Sequence, residues 1–185
     1  LMKISLISIS SPIKEEQLPM LKSAIAYLES LGLKPVYSDD IFNLNKRPVL
    51  ERAAELRSAY LDTETSLILS VRGGAGCIEL LDNLNYQEFL VSKPKPILAY
   101  SDLTTLALAF NRKAGDLNLE PIPFYHSPML FEMASWFDNS EKLSELNRLN
   151  KSIFELFINL IKTESSLEDE KIAVAEKLSS ARSEE

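Results

Sequence analysis

Short apolar runs alternate with longer stretches of three- and four-residue hydrophobic spacing along the first two-thirds of the chain. Residues 3–9 form a β-rich run, and 12–31 follow as a helix in which Leu18, Leu21, Ile25 and Leu28 line one face. Gly32, just past the last periodic position, predicts its C-terminal end. Residues 34–37 read as a second strand, and 47–61 as a second helix opened by Pro48. A third strand over 66–71 runs through a glycine loop into a helix over 77–81, followed by a short helical turn over 85–91. Residues 97–100 form a fourth strand, 102–113 an apolar helix, and 122–125 a short fifth strand between prolines 121, 123 and 128. Strand and helix alternate strictly, which predicts an α/β fold: a mostly parallel sheet with helices on both faces. Ligands of such sheets sit beyond the carboxyl ends of the strands.

From about residue 129 the pattern changes to helix alone. Residues 129–137 and 140–161 are helical by spacing, and Leu146, Leu149, Ile153, Leu156, Phe157 and Leu160 form one stripe. If that stripe packs over the sheet, the chain is a self-contained fold with a helical C-terminal extension; left exposed, it is an interface or an aggregation risk. Residues 163–185 are charged and weakly amphipathic, a frayed helix or a disordered tail. No internal repeat and no coiled-coil heptad of useful length is read from the sequence.

Composition narrows the functional classes. The 185 residues are 45% hydrophobic, enough for one domain with a substantial core. A net charge of −7 argues against a nucleic-acid backbone or an anionic membrane as the main partner. No apolar run approaches the ~20 residues that span a bilayer. The first ten residues are read as a strand rather than a signal peptide, because serines interrupt the apolar run and no small-x-small cleavage site follows. With one cysteine, Cys77, and one histidine, His126, an internal disulfide is impossible and a zinc site of the usual type is nearly excluded. The expectation is a cytoplasmic protein without metal or cofactor.

Two turns carry candidate chemistry. Lys95-Pro-Ile-Leu-Ala-Tyr-Ser101-Asp102 is a strand, a sharp turn and a helix start, an arrangement that lifts the Ser101 hydroxyl above the end of a sheet. Three of the chain's five glycines fall in Arg72-Gly-Gly-Ala-Gly76, where backbone N–H groups can approach an anion. Each has a plainer reading: Ser101-Asp102 as a helix cap, the glycine loop as a tight connection. The loop does not match the dinucleotide pattern, since Glu79 stands where a third glycine would. His126 suits a general base, but a lone histidine near a strand end is more often structural.

Taken in order, these motifs resemble the LD-carboxypeptidases, serine peptidases related to the microcin-immunity peptidases. The landmarks are Ser11-Pro12, Leu31-Gly-Leu-Lys-Pro-Val36, Glu51-Arg-Ala-Ala-Glu-Leu56, the Arg72–Gly76 loop, the Lys95–Thr104 elbow and His126-Ser-Pro-Met129, spread over residues 3–130. The resemblance implies a Rossmann-like or flavodoxin-like domain over 1–130, a helical extension over 131–162 packing on it, and the tail over 163–185. It implies Ser101 as nucleophile, with backbone N–H groups of Gly74 and Asp102 as oxyanion donors. Arg72, Gly73, Ala75, Gly76 and Tyr100 map onto the substrate-facing positions. The family removes the terminal D-alanine of murein tetrapeptides, without a metal, in cytoplasmic cell-wall recycling.

The chain also departs from the family pattern. Ala75 stands for a tyrosine, Ala99 and Ser127 for glycines. The family's triad glutamate and histidine belong to a C-terminal domain that nothing after residue 130 resembles. The expectation is therefore a truncated nucleophile domain, weakly active or inactive alone, whose partners are a murein-like peptide, the missing domain or a second copy in a homodimer. The alternatives are a non-catalytic module that keeps the cleft to bind a peptide or protein, and a local hydrolase built on a Ser101–His126 pair.

Overall fold

A computed structural model describes residues 1–138 and 143–182; the side chains of 138, 165 and 168–182 lie outside the description. Five strands, β1 (Met2–Ile7), β2 (Leu33–Val36), β3 (Thr65–Ser70), β4 (Ile97–Ala99) and β5 (Phe124–His126), form one sheet in the order β2-β1-β3-β4-β5. Every pairing is parallel, with Leu69 opposite Leu6 and Leu98, and Ala99 opposite His126.

Side-chain alternation along each strand divides the core into two layers. Ile4 and Leu6 of β1, Leu67 and Leu69 of β3 and Leu98 of β4 point to one face. Helices α1 (Leu18–Ser30), α5 (Leu130–Asp138) and α6 (Glu145–Arg182) cover that face through Leu21, Leu28, Met133, Trp136, Phe154 and Ile158. Ile7, Ile68, Ile97 and Ala99 point the other way, against α2 (Val49–Leu61), α3 (Tyr86–Leu90) and α4 (Thr104–Leu117). The predicted parallel sheet with helices on both faces is what the chain forms.

Local differences have local causes. The helix expected over 12–31 starts at Leu18, because Ser11-Pro12 is drawn into a turn at the end of β1 and only a single 3-10 turn, Glu15–Gln17, precedes α1. Pro19 then sits in the first turn, where its missing N–H costs nothing. The helix expected over 77–81 is a 3-10 segment, Cys77–Asn83. The helix expected over 140–161 starts at Glu145 within the described residues, 139–142 lying outside them, and it continues without a break to Arg182; residues 183–185 are again outside.

The stripe read from the sequence points outward. Leu146, Leu149, Ile153, Leu156 and Leu160 are exposed, and Phe154 and Ile158, with Phe157 and Ile161 partly buried, make the inward face instead. That seating is fixed by Tyr27 Oη donating to Glu155 at 2.8 Å and by Lys162 Nζ donating to the Leu31 carbonyl at 2.6 Å.

Candidate active site

The loops after β1, β3 and β4 meet above the centre of the sheet, where β1, β3 and β4 lie side by side. Tyr100 leaves β4 fully extended, and Ser101 then turns at φ +58° into the 3-10 segment Ser101–Leu103 that opens α4. A left-handed serine is costly for an L-residue, and such outliers gather at functional turns. The hydroxyl ends at the surface of the molecule.

The glycine loop follows β3 and is pressed against this elbow. A Cβ on Gly73 would stand 3.1 Å from Ser101 Cβ and 3.2 Å from its Oγ. Gly74 adopts φ +134°, and a Cβ there would overlap the Ser11 side chain, so no other residue fits this turn. Ser11 Oγ instead accepts the Ala75 N–H at 3.0 Å.

Asp102 ties the three loops together. Its Oδ2 accepts Ser10 Oγ at 2.6 Å and the Cys77 N–H at 2.9 Å. Burial raises its carboxyl, but those hydrogen bonds outweigh it and hold the group below the usual carboxylate range. Burial pushes the Cys77 thiol up, assisted by the Asp102 charge, so this cysteine stays protonated. From α2, the buried Arg52 donates to the carbonyls of Ile9 at 2.9 Å and Gly76 at 3.1 Å, and pairs with Glu79 at 2.5 Å. It clamps the far end of the glycine loop to the segment that follows β1.

A cleft of about 250 Å³ opens at Ser101, lined by Arg72, Gly73, Gly74, Tyr100 and Glu132 among others. Arg72 reaches across its floor, donating to the Pro12 carbonyl at 3.2 Å and to Gln17 Oε1 at 3.0 Å. Tyr100 Oη donates to Glu132 Oε1 at 3.0 Å, and the other oxygen of Glu132 accepts the Met129 N–H at 2.8 Å. Burial, with Glu132 adding to it, raises the Tyr100 hydroxyl. Tyr100 and Glu132 also wall a second cavity of about 420 Å³, whose other side is Tyr125, His126, Phe154 and Phe157.

Of the residues expected at the site, Ser101, Arg72, Gly73, Gly74 and Tyr100 share one cleft. Ala75 and Gly76 do not line it: the Ala75 N–H is taken by Ser11 and the Gly76 carbonyl by Arg52. His126 is exposed in the neighbouring cavity with its ring 5.3 Å from that of Tyr100, and no hydrogen bond joins it to Ser101. Sequence reading missed Ser10, Arg52 and Glu132. Ser10, three residues past β1, meets the glycine loop only through the strand order, which the sequence does not give. Arg52 and Glu132 sit on helices whose placement the sequence does not give. Among the described residues no group of three or more His, Cys, Asp or Glu could hold a metal ion, and no helix is long and apolar enough to cross a membrane.

This arrangement has counterparts. A Streptomyces coelicolor protein named as a carboxypeptidase is 28% identical over 133 residues, covering 69% of this chain and 40% of its own. The murein tetrapeptide carboxypeptidase of Pseudomonas aeruginosa is 25% identical over 108 residues, covering 56% of this chain and 33% of its own. The microcin C7 self immunity protein MccF, in its unliganded state, shares the fold with a TM-score of 0.69 at 22% identity, over 83% of this chain and 43% of that one. The chain thus spans less than half the length of the curated relatives it matches. Residues 4–118 match the model of the LD-carboxypeptidase N-terminal domain, and the chain belongs to that family, Peptidase S66.

Proposed function

We propose that this chain is the nucleophile-bearing part of an LD-carboxypeptidase-like serine peptidase acting on a murein tetrapeptide, at the bond before its terminal D-alanine, in cell-wall recycling in the cytoplasm. Ser101 Oγ attacks the carbonyl carbon, and the oxygen that gains charge lies against the N–H groups of Gly74 and Asp102. The C–N bond then breaks, the leaving amine takes a proton, and water releases the acyl group from Ser101. Arg72 and Tyr100 line the path of the peptide.

The most direct support is the strained Ser101 turn packed on Gly73, which exposes the hydroxyl beside a loop of backbone donors. The cleft offers Ser101 no base: among the described residues no histidine is bonded to it, and Glu132 is committed to Tyr100 and Met129. A serine without its base loses several powers of ten in rate. The family's glutamate and histidine would have to come from elsewhere, so weak or absent activity is expected of residues 1–185 alone. The same lack of a base favours the second reading, a binding module that keeps the cleft for a peptide.

Intact-mass labelling with a fluorophosphonate, comparing the parent with Ser101→Ala, tests the reading together with murein tetrapeptide titration. Slow Ser101-dependent labelling with millimolar or tighter peptide binding supports the nucleophile domain. Peptide binding without any labelling supports the module. Neither, in a folded chain, rules out both.

A further inference from the structure

Past the end of β1, each residue from Ser8 to Ser11 is held by a side chain or loop from elsewhere in the fold. The pairing of β1 with β2 stops at Ser5 and Val36, so Ser8 lies beyond the edge strand. Glu55 of α2 and Arg47, just before that helix, stand where the strand would be. Glu55 Oε1 accepts the Ser8 N–H at 2.9 Å, and Arg47 Nη2 donates to the Ser8 carbonyl at 2.7 Å. The two side chains also pair with each other, and Arg47 Nη1 donates to Asp40 Oδ2 at 3.3 Å. They are only 6% and 11% exposed.

The hold passes along the segment. Arg52 fixes the Ile9 carbonyl, and Ser10 Oγ reaches the Asp102 carboxylate. Ser11 Oγ takes the Ala75 N–H, and its side chain fills the space that a Cβ on Gly74 would need. Ser10 and Ser11 therefore bear on Asp102 and Gly74, whose backbone N–H groups the proposed reaction uses. A segment free to shift by ~1 Å would carry both donors away from the developing charge, a displacement that costs on the order of a hundredfold in rate.

We propose that Arg47 and Glu55 are positioning residues: by holding both amide groups of Ser8 they set the Ser10–Ser11 segment, and through it the N–H groups of Gly74 and Asp102. What those N–H groups do rests on the serine-peptidase reading; where they are held does not. A buried ion pair explains little as a stabilising device, because desolvation offsets its attraction and an apolar pair of similar volume is often as stable. Its use here is geometric. Ser8 needs an acceptor and a donor set side by side, and one planar guanidinium reaches Ser8, Glu55 and Asp40 together, which a lysine ammonium does not reproduce.

Two variants separate position from stability. Arg47→Met with Glu55→Leu removes both charges and both partners of Ser8. The lost side chains line a groove of about 500 Å³ between β2 and α2, through which water reaches Ser8, satisfying its amide groups without fixing them. The melting temperature should stay close to that of the parent. The amide proton and nitrogen shifts of Gly74 and Asp102 should move, and fluorophosphonate labelling of Ser101 should fall about tenfold to a hundredfold. Glu55→Gln keeps an acceptor for Ser8 but leaves the buried Arg47 charge with Asp40 alone. It should be the less stable variant, with amide shifts and labelling near those of the parent. Arg57→Met, which breaks an exposed pair between α2 and Glu88, should change neither readout. If the less stable variant is also the more displaced, the proposal is overturned. An apolar pair that keeps the parent's amide shifts, or that fails to fold, overturns it too. A parent that is never labelled sinks the peptidase reading instead, and the amide shifts still decide the positioning.

Discussion

Gly73 stands directly against the side chain of Ser101, so close that a single added carbon would lie 3.1 Å from Ser101 Cβ, 3.2 Å from Oγ and 3.3 Å from Met129 Cε. The elbow can turn over the end of β4 because the neighbouring strand ends in a residue with no side chain. Gly73→Ala puts no strain on its own backbone, so its effect falls on Ser101. We expect Ser101-dependent labelling or peptide affinity to drop about tenfold or more, since small displacements of a reacting group are costly, with the melting temperature little changed. Full retention of both would show that the contact does not position the hydroxyl.

The φ of +58° at Ser101 predicts an asymmetry between two variants that both remove the hydroxyl. Ser101→Gly should be more stable than Ser101→Ala by about 0.5–1 kcal/mol, the left-handed penalty less glycine's larger loss of chain entropy. Chemical denaturation of the two proteins measures it. Equal stability would mean that the turn carries no strain.

Asp102 makes the loop cluster sensitive to acid. Its folded carboxyl lies below the unfolded value, near about 3.9. The unfolded chain therefore binds more protons between those values, and stability rises with pH across that window. The contribution is complete above about pH 4 and is lost as pH falls through the folded value. The gap in urea midpoint between the parent and Asp102→Asn should be widest at neutral pH and narrow below about pH 4. A gap that widens in acid contradicts the account.

Lys95 is a buried strut at the foot of the sheet. Its ammonium donates to the carbonyls of Ala59 at 3.2 Å, Tyr60 at 2.7 Å and Asp62 at 2.6 Å, closing the C-terminal end of α2. Burial pulls the ammonium below the usual lysine range, yet three acceptors hold it. Lys95→Met keeps the volume and strands those carbonyls, so a loss of about 2 kcal/mol is expected, with Ser101 labelling per folded molecule unchanged. A neutral effect on stability would mean that water replaces the ammonium without cost.

The alternation of strands and helices was legible because the inner strands bury both faces, leaving continuous apolar runs such as Ser66-Leu-Ile-Leu-Ser-Val71, and because Pro48 and Gly32 mark helix ends. The elbow at Ser101 and the loop at Arg72–Gly76 were legible for a related reason. Tight turns at strand ends accept few residue types, so the turn chemistry shows in the letters themselves. The third part of the cluster was less visible. Ser10 and Ser11 look like an ordinary polar strand end until β1 is known to lie between β2 and β3, which brings them onto the glycine loop.

By itself, then, the sequence determined the α/β class, the order of the elements and the two turns that carry candidate chemistry, since these follow from short-range periodicity and local backbone preference. Only the tertiary structure decided which faces meet. It placed His126 out of contact with Ser101, recruited Arg52 and Glu132, and turned Leu149, Ile153 and Leu156 to solvent while burying Phe154 and Ile158. A helix with two apolar faces has the same three- and four-residue spacing on each. Which one is buried depends on the shape of the layer it lands on, here the one built around Tyr27, Trp136 and Leu98, and that shape is assembled from residues far apart in the chain.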